Sequence, residues 1–163
     1  MEIRSYDPDE DTTPLWDLKR AFETELAAGT GGEKKQVAYE AKLTEAYKTR
    51  YLDWVERCIE DESGCVRLAV DANGESVGYV FVLPERLAMI WDAAVVNELY
   101  VSPAYRGTGA GDELMDAASA LARKQELPLK RLVLDVDAEN TRARAFYDRH
   151  GFEPWGEMVA KKL

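Results

Sequence analysis

Histidine and cysteine are almost absent from this chain of 163 residues, which holds one His and two Cys. Zinc sites draw on several such side chains and disulfide frameworks on paired cysteines, so no metal site and no bridge is expected. Cys58 and Cys65 read as reduced thiols. Long apolar runs are missing too, and no stretch approaches the length of a membrane-spanning helix. The opening residues, MEIRSYD, lack the basic and apolar regions of a secretion signal, which predicts a cytoplasmic protein with no membrane partner. Basic residues are short against acidic ones, 21 to 31, for a formal charge of −10. Phosphate backbones demand a basic surface, so nucleic acid is excluded as a partner. An acidic coat either draws cationic partners or only keeps the protein in solution.

What is present suits a packed core: 46% of residues are hydrophobic, and no repeat, low-complexity tract or linker divides the chain. It reads as a single domain over residues 1–163. Residues 2–6 predict a short strand, and Thr12, Thr13 and Pro14 open a helix that the glycines around Gly29 and Gly32 break. A second helix is predicted over about residues 33–62. Residues 66–71 and 76–83 form a hairpin about Asn73-Gly74, stopped by Pro84. A strand over 93–101, a helix over 112–124, a strand over 131–137, a helix from Asn140 and a last strand near Met158 follow.

The densest signal is ELYVSPAYRGTGAG, residues 98–111, a glycine turn between an apolar strand and a helix start. Helix N-termini leave backbone N–H groups unpaired under a positive potential. Gly107, Gly109 and Gly111 remove the Cβ atoms that would hold an anion away, and Arg106 adds a guanidinium, so a diphosphate fits. A Walker loop fails, because Gly111 is followed by Asp112 and Glu113. The dinucleotide pattern G-x-G-x-x-G fails in both registers, at Asp112 and Leu114, although Asp135 or Asp137 mimics its ribose-binding acid. The letters spell R-x-x-G-x-G.

This pattern resembles the signature of the GNAT N-acetyltransferase superfamily. A second segment strengthens the resemblance: NTRARAFYDRHGF, residues 140–152, is similar to the family's N-x-x-A-x-x-F-Y-x-x-x-G-F helix. The resemblance implies an α/β (α+β) GNAT fold, a central mixed twisted sheet of about six to seven strands flanked by about four helices. It implies acetyl-CoA as co-substrate and an acyltransferase that acetylates a primary amine of a small molecule or peptide, with a homodimer left open. By that resemblance the pyrophosphate meets Arg106, Gly107, Thr108, Gly109, Ala110 and Gly111, and the pantetheine pairs with the backbone of Leu99 and Val101. Asn140, Ala143, Phe146 and Tyr147 flank the same arm. A backbone amide near Val101 is the implied oxyanion donor. A non-catalytic acetyl-CoA-binding module is the alternative.

Two side chains carry the chemistry in this reading. In the family the tyrosine of the Phe-Tyr pair protonates the departing thiolate, a role that falls on Tyr147; plain packing is its alternative. Glu98 interrupts the apolar face of Val96 and Tyr100 and is the candidate base, while a salt-bridged strand-end carboxylate is the competing reading. Asn140 also reads as a helix N-cap, His150-Gly151 as a helix end without catalysis, and Phe146 as core. Asp9, Glu10, Asp11, Glu23, Glu25 and Glu33 lie in the region expected to shape the acceptor pocket and favour a cationic amine.

Overall fold

The computed structural model describes residues 1–29 and 32–163. Five strands form one sheet in the order β1-β2-β3-β4-β5: β1 Glu2–Ser5, β2 Val66–Val70, β3 Ser76–Val82, β4 Ala94–Val101 and β5 Leu132–Val133. The first four pair antiparallel and β5 joins β4 in parallel. The α-helices are α1 Thr12–Gly29, α2 Gly32–Lys42, α3 Glu45–Asp61, α4 Ala110–Ala122 and α5 Thr141–Arg149. Among the described residues none is long and apolar enough to cross a membrane.

The architecture is the expected α/β one, with differences that have local causes. The helix expected over 33–62 is two helices, because the Thr44 hydroxyl accepts the Tyr47 N–H at 3.2 Å and caps a fresh start. The break expected before it falls partly on Thr30 and Gly31, which lie outside the described residues. Among the described residues the sheet has five strands where about six to seven were expected, and five α-helices flank it where about four were. The strand expected over 131–137 pairs only at Leu132 and Val133. Residues 152–163 hold no strand: Pro154 lacks a ladder donor, Gly156 offers no side chain to pack, and Trp155, Met158 and Val159 remain exposed.

Helices cover both faces of the sheet. On one, α1 and α3 bury Leu15, Val55 and Cys58 against Leu68, Tyr79 and Phe81. On the other, α4 sets Leu114, Met115 and Ala118 against Ala69, Val80 and Val96. Spacing decides these faces: Leu15, Lys19, Glu23 and Ala27 recur every four residues along α1 and all are buried.

β4 switches faces along its length. Phe81 pairs with Glu98 and Val82 with Val96, so Asn97 is an extra residue on β4, a bulge. Val96 therefore packs towards α4, whereas Tyr100 belongs to the α1 side and Glu98 reaches Lys19 of α1. Past Val95, β4 has no strand partner on the β5 side among the described residues, and the chain after Val133 splays away from it, both lining one cavity.

Candidate active site

The splay opens into a cavity of about 1500 Å³ between α1, α2 and α3 on one side and the β4 end, glycine turn and α5 on the other. It gathers Leu99, Val101, Arg106, Gly107, Gly109, Gly111, Asn140, Ala143, Phe146, Tyr147 and Glu98 from the sequence-derived set. Thr108 and Ala110 are not among its lining residues. Thr108 donates its hydroxyl to the Tyr105 carbonyl at 2.6 Å, and Ala110 is wholly buried as the first residue of α4.

Gly107 and Gly109 have φ of +77° and +95°, and a Cβ on either would meet nothing within 4 Å. The left-handed turn bares their backbone to open space at the start of α4, which fits a diphosphate. Gly111 differs: a Cβ there would lie 3.2 Å from the Phe146 ring, so this glycine lets α5 close on α4. Asp112 reinforces that contact, holding Arg149 at 2.5 Å and His150 Nε2 at 2.7 Å. Asn140 caps α5, its Oδ1 accepting the Ala143 N–H at 3.1 Å.

Arg106 is already engaged. Its Nε donates to the Val101 carbonyl at 2.9 Å and its Nη2 meets Glu25 at 2.6 Å. Arg142 reaches the other Glu25 oxygen, also at 2.6 Å. Glu25 thus joins the end of α1 to two cations beside the glycine turn.

Tyr147 faces the cavity between Phe146 and Phe152, its ring T-shaped to both, with centroids 5.5 and 5.7 Å away. Its hydroxyl has no hydrogen bond to protein among the described residues. Burial pushes the phenol up to about 12, against a smaller opposing pull from Arg142, so it stays protonated at neutral pH.

Glu98 is deeply buried, as the candidate-base reading requires, and salt-bridged, as the competing reading requires, but the ion pair is interior and not at an exposed strand end. Oε1 accepts from Lys19 Nζ at 2.7 Å and from the Asn97 amide at 3.3 Å. Oε2 accepts the Tyr51 and Tyr79 hydroxyls at 2.8 and 2.7 Å. Burial, then the charge of Glu98, raises both phenols well above the ordinary tyrosine value, keeping them donors. Lys19 also donates to Glu23 at 2.5 Å. Burial pulls the Lys19 ammonium down, but Glu98 and Glu23 outweigh it and hold its pKa above the usual lysine value.

The acids counted towards a cationic pocket divide. Asp11 is clamped by Arg4 at 2.6 and 2.7 Å at the β1–α1 junction, and Asp9, Glu10 and Glu33 do not line the cavity. Glu23 and Glu25 do, and both are ion-paired. Sequence reasoning missed Lys19, Tyr51 and Tyr79 as partners of Glu98. A signal existed for Lys19: it stands with Glu23 on the buried four-residue stripe of α1.

The profile of the acetyltransferase (GNAT) family matches residues 30–152, and the chain belongs to that family. An uncharacterised N-acetyltransferase of Methanocaldococcus jannaschii is 34% identical over 120 residues, which cover 68% of this chain and 50% of that protein. A mycothiol acetyltransferase of Salinispora tropica is 37% identical over 100 residues, 59% of this chain and 31% of the relative. The match therefore spans half or less of the length of these relatives. The crystal structure of the PaiA N-acetyltransferase of Thermoplasma acidophilum, in complex with coenzyme A, superposes with a TM-score of 0.71 at 23% identity, covering 93% of this chain and 89% of that one.

Proposed function

We propose that this protein transfers the acetyl group of acetyl-CoA to a primary amine of a small molecule or peptide. The observation that carries the reading is the splay: an unpaired edge of β4 runs to a left-handed glycine turn with open amides, and Tyr147 faces the same cavity. The acetyl thioester supplies an activated carbonyl for direct attack by a neutral amine. The backbone around Leu99 and Val101 offers its unpaired edge, less the Val101 carbonyl that Arg106 already holds, to the extended pantetheine, and the amides at Gly107 and Gly109 hold the anionic end. Asn140, Ala143 and Phe146 line the wall along the arm. A backbone amide near Val101 is the oxyanion donor.

Tyr147 gives its proton to the leaving sulfur, and burial keeps the phenol protonated at neutral pH until the thiolate develops. Glu98 takes the amine proton through a water that replaces the Asn97 amide, its longest contact at 3.3 Å. Neither nucleic acid nor a membrane enters this reading. One observation favours the alternative of a module that binds acetyl-CoA without turning it over: all four donors on Glu98 are already in place.

Release of free CoA thiol from acetyl-CoA across a panel of amines separates the two. Catalysis predicts amine-dependent release, with Tyr147→Phe lowering kcat by about 10²–10⁴-fold while CoA affinity changes little. No release with any amine, from protein that binds CoA, favours the module.

A further inference from the structure

The acceptor side of the cavity carries a buried charge imbalance. Lys19, Glu23 and Glu98 have side chains only 4%, 5% and 5% exposed, one cation among two carboxylates. The missing charge comes from Lys42, the last residue of α2, whose Nζ lies 2.9 Å from Glu23 Oε2. That oxygen is buried and accepts no hydrogen bond from the described residues, so the pairing is ionic and poorly aligned. Two phenol rings complete the surroundings, with the Lys42 Nζ 4.6 Å from the Tyr39 centroid and 5.4 Å from that of Tyr47. Glu23, Tyr39, Tyr47 and Lys42 all line the cavity.

A carboxylate with two aromatic rings is the chemistry that receives an alkylammonium. Lys42 is suited to giving up that position. Its side chain is 33% exposed, and α2 has no buried residue to fix it. Withdrawal of Lys42 leaves a net negative charge in a site nearly closed to water, a costly state unless another cation enters. An anion would worsen the imbalance, and a neutral group would not correct it.

We propose that Glu23, Tyr39 and Tyr47 form a seat for an ammonium group of the acceptor, which Lys42 fills until the acceptor arrives. The inference rests on the reading of this cavity as the site of an amine acetyltransferase. It adds the residues that receive the ammonium group of the amine and makes Lys42 an internal competitor for them.

The test is calorimetric titration with n-butylammonium chloride, and with 1-butanol as the uncharged match, each with and without CoA. Lys42→Met is expected to bind butylammonium about tenfold more tightly than the wild type, the scale of one cation–π contact freed from competition, with no gain for butanol. Adding Glu23→Gln abolishes the gain. Should that double variant fail to fold by circular dichroism, Lys42→Met with Tyr39→Leu takes its place, and the gain falls. The seat is wrong if Lys42→Met binds the cation no better than wild type, if butanol gains equally, or if the gain survives the second substitution. Failure of the acetyl-CoA reading would appear separately, as absence of thermal stabilisation by CoA, and leaves the amine titration intact.

Discussion

Glu25 neutralises the motif arginine: its carboxylate lies 2.6 Å from Arg106 across 81 residues of chain. With Arg142 on its other oxygen, it holds two guanidiniums that a phosphate bound at the proposed glycine turn would also draw. Glu25→Gln removes a negative charge beside an anionic ligand and loosens both cations, so CoA is expected to bind several-fold more tightly, with the gain shrinking at high salt. Titration of CoA at two ionic strengths checks this. Unchanged affinity would place both arginines outside the binding interaction.

The glycine turn predicts a separable effect. At a hundredfold excess over Kd, CoA adds about 2.7 kcal/mol to stability, visible as a melting shift. Gly109→Val puts a β-branched residue at a φ of +95°. The strain costs on the order of 1–3 kcal/mol, and the Cβ enters the space above the amides. The variant should melt lower, fold by circular dichroism and lose the CoA shift. Retention of the shift would remove the anion from this turn.

Lys19→Met should destabilise the fold by about 3–5 kcal/mol, because it leaves Glu98 without its cation beside Glu23, which keeps only the part-exposed Lys42. Chemical denaturation measures the loss. Pairing Lys19→Met with Glu98→Gln and Glu23→Gln should restore part of it, since neutral amides leave no buried charge. A loss below about 1 kcal/mol for the single variant would mean that water reaches the group.

Acid should unfold the protein through its paired carboxylates. Asp11 is held below its usual value, first by the hydrogen bonds from Arg4, against burial. Burial raises Glu23, but Lys19 and then Lys42 bring it down overall. A depressed folded pKa means that the unfolded chain binds more protons, so this stability is present above about pH 4 and is lost as pH falls through the folded values. Melting temperature should drop steeply below about pH 4. Asp11→Asn should cost stability near neutrality and little in acid, so its melting curve converges on wild type there. A constant gap across the range would contradict the assignment.

Local features of this fold were legible and long-range ones were not. The hairpin about Asn73-Gly74, the cap at Asn140 and the glycine turn all follow from residues within a few positions of each other. The bulge at Asn97 was invisible, because β4 alternates without interruption and only pairing with Phe81 and Val82 reveals the extra residue. For the same reason Val96 was placed on the face of Glu98, which it does not share. The site divides similarly: its motif residues converge on the cavity, but Lys19 meets Glu98 across 79 positions and Lys35 meets Asp137 across 102. Strands beyond β4 were over-read, since an apolar residue at every second position does not supply a partner edge.

Cys58 and Cys65 are sealed, with 0% and 1% exposure, and burial raises both thiols, Cys65 to about 12. Only thiolate attacks a disulfide reagent, so the folded protein should be silent towards such a probe. In the proposed acetyl-CoA assay, any thiol that appears would then be that of CoA, against a background set by the protein's own opening. Slow labelling of these two sulfurs, followed alone, becomes a clock for how often the α3–β2 junction comes apart.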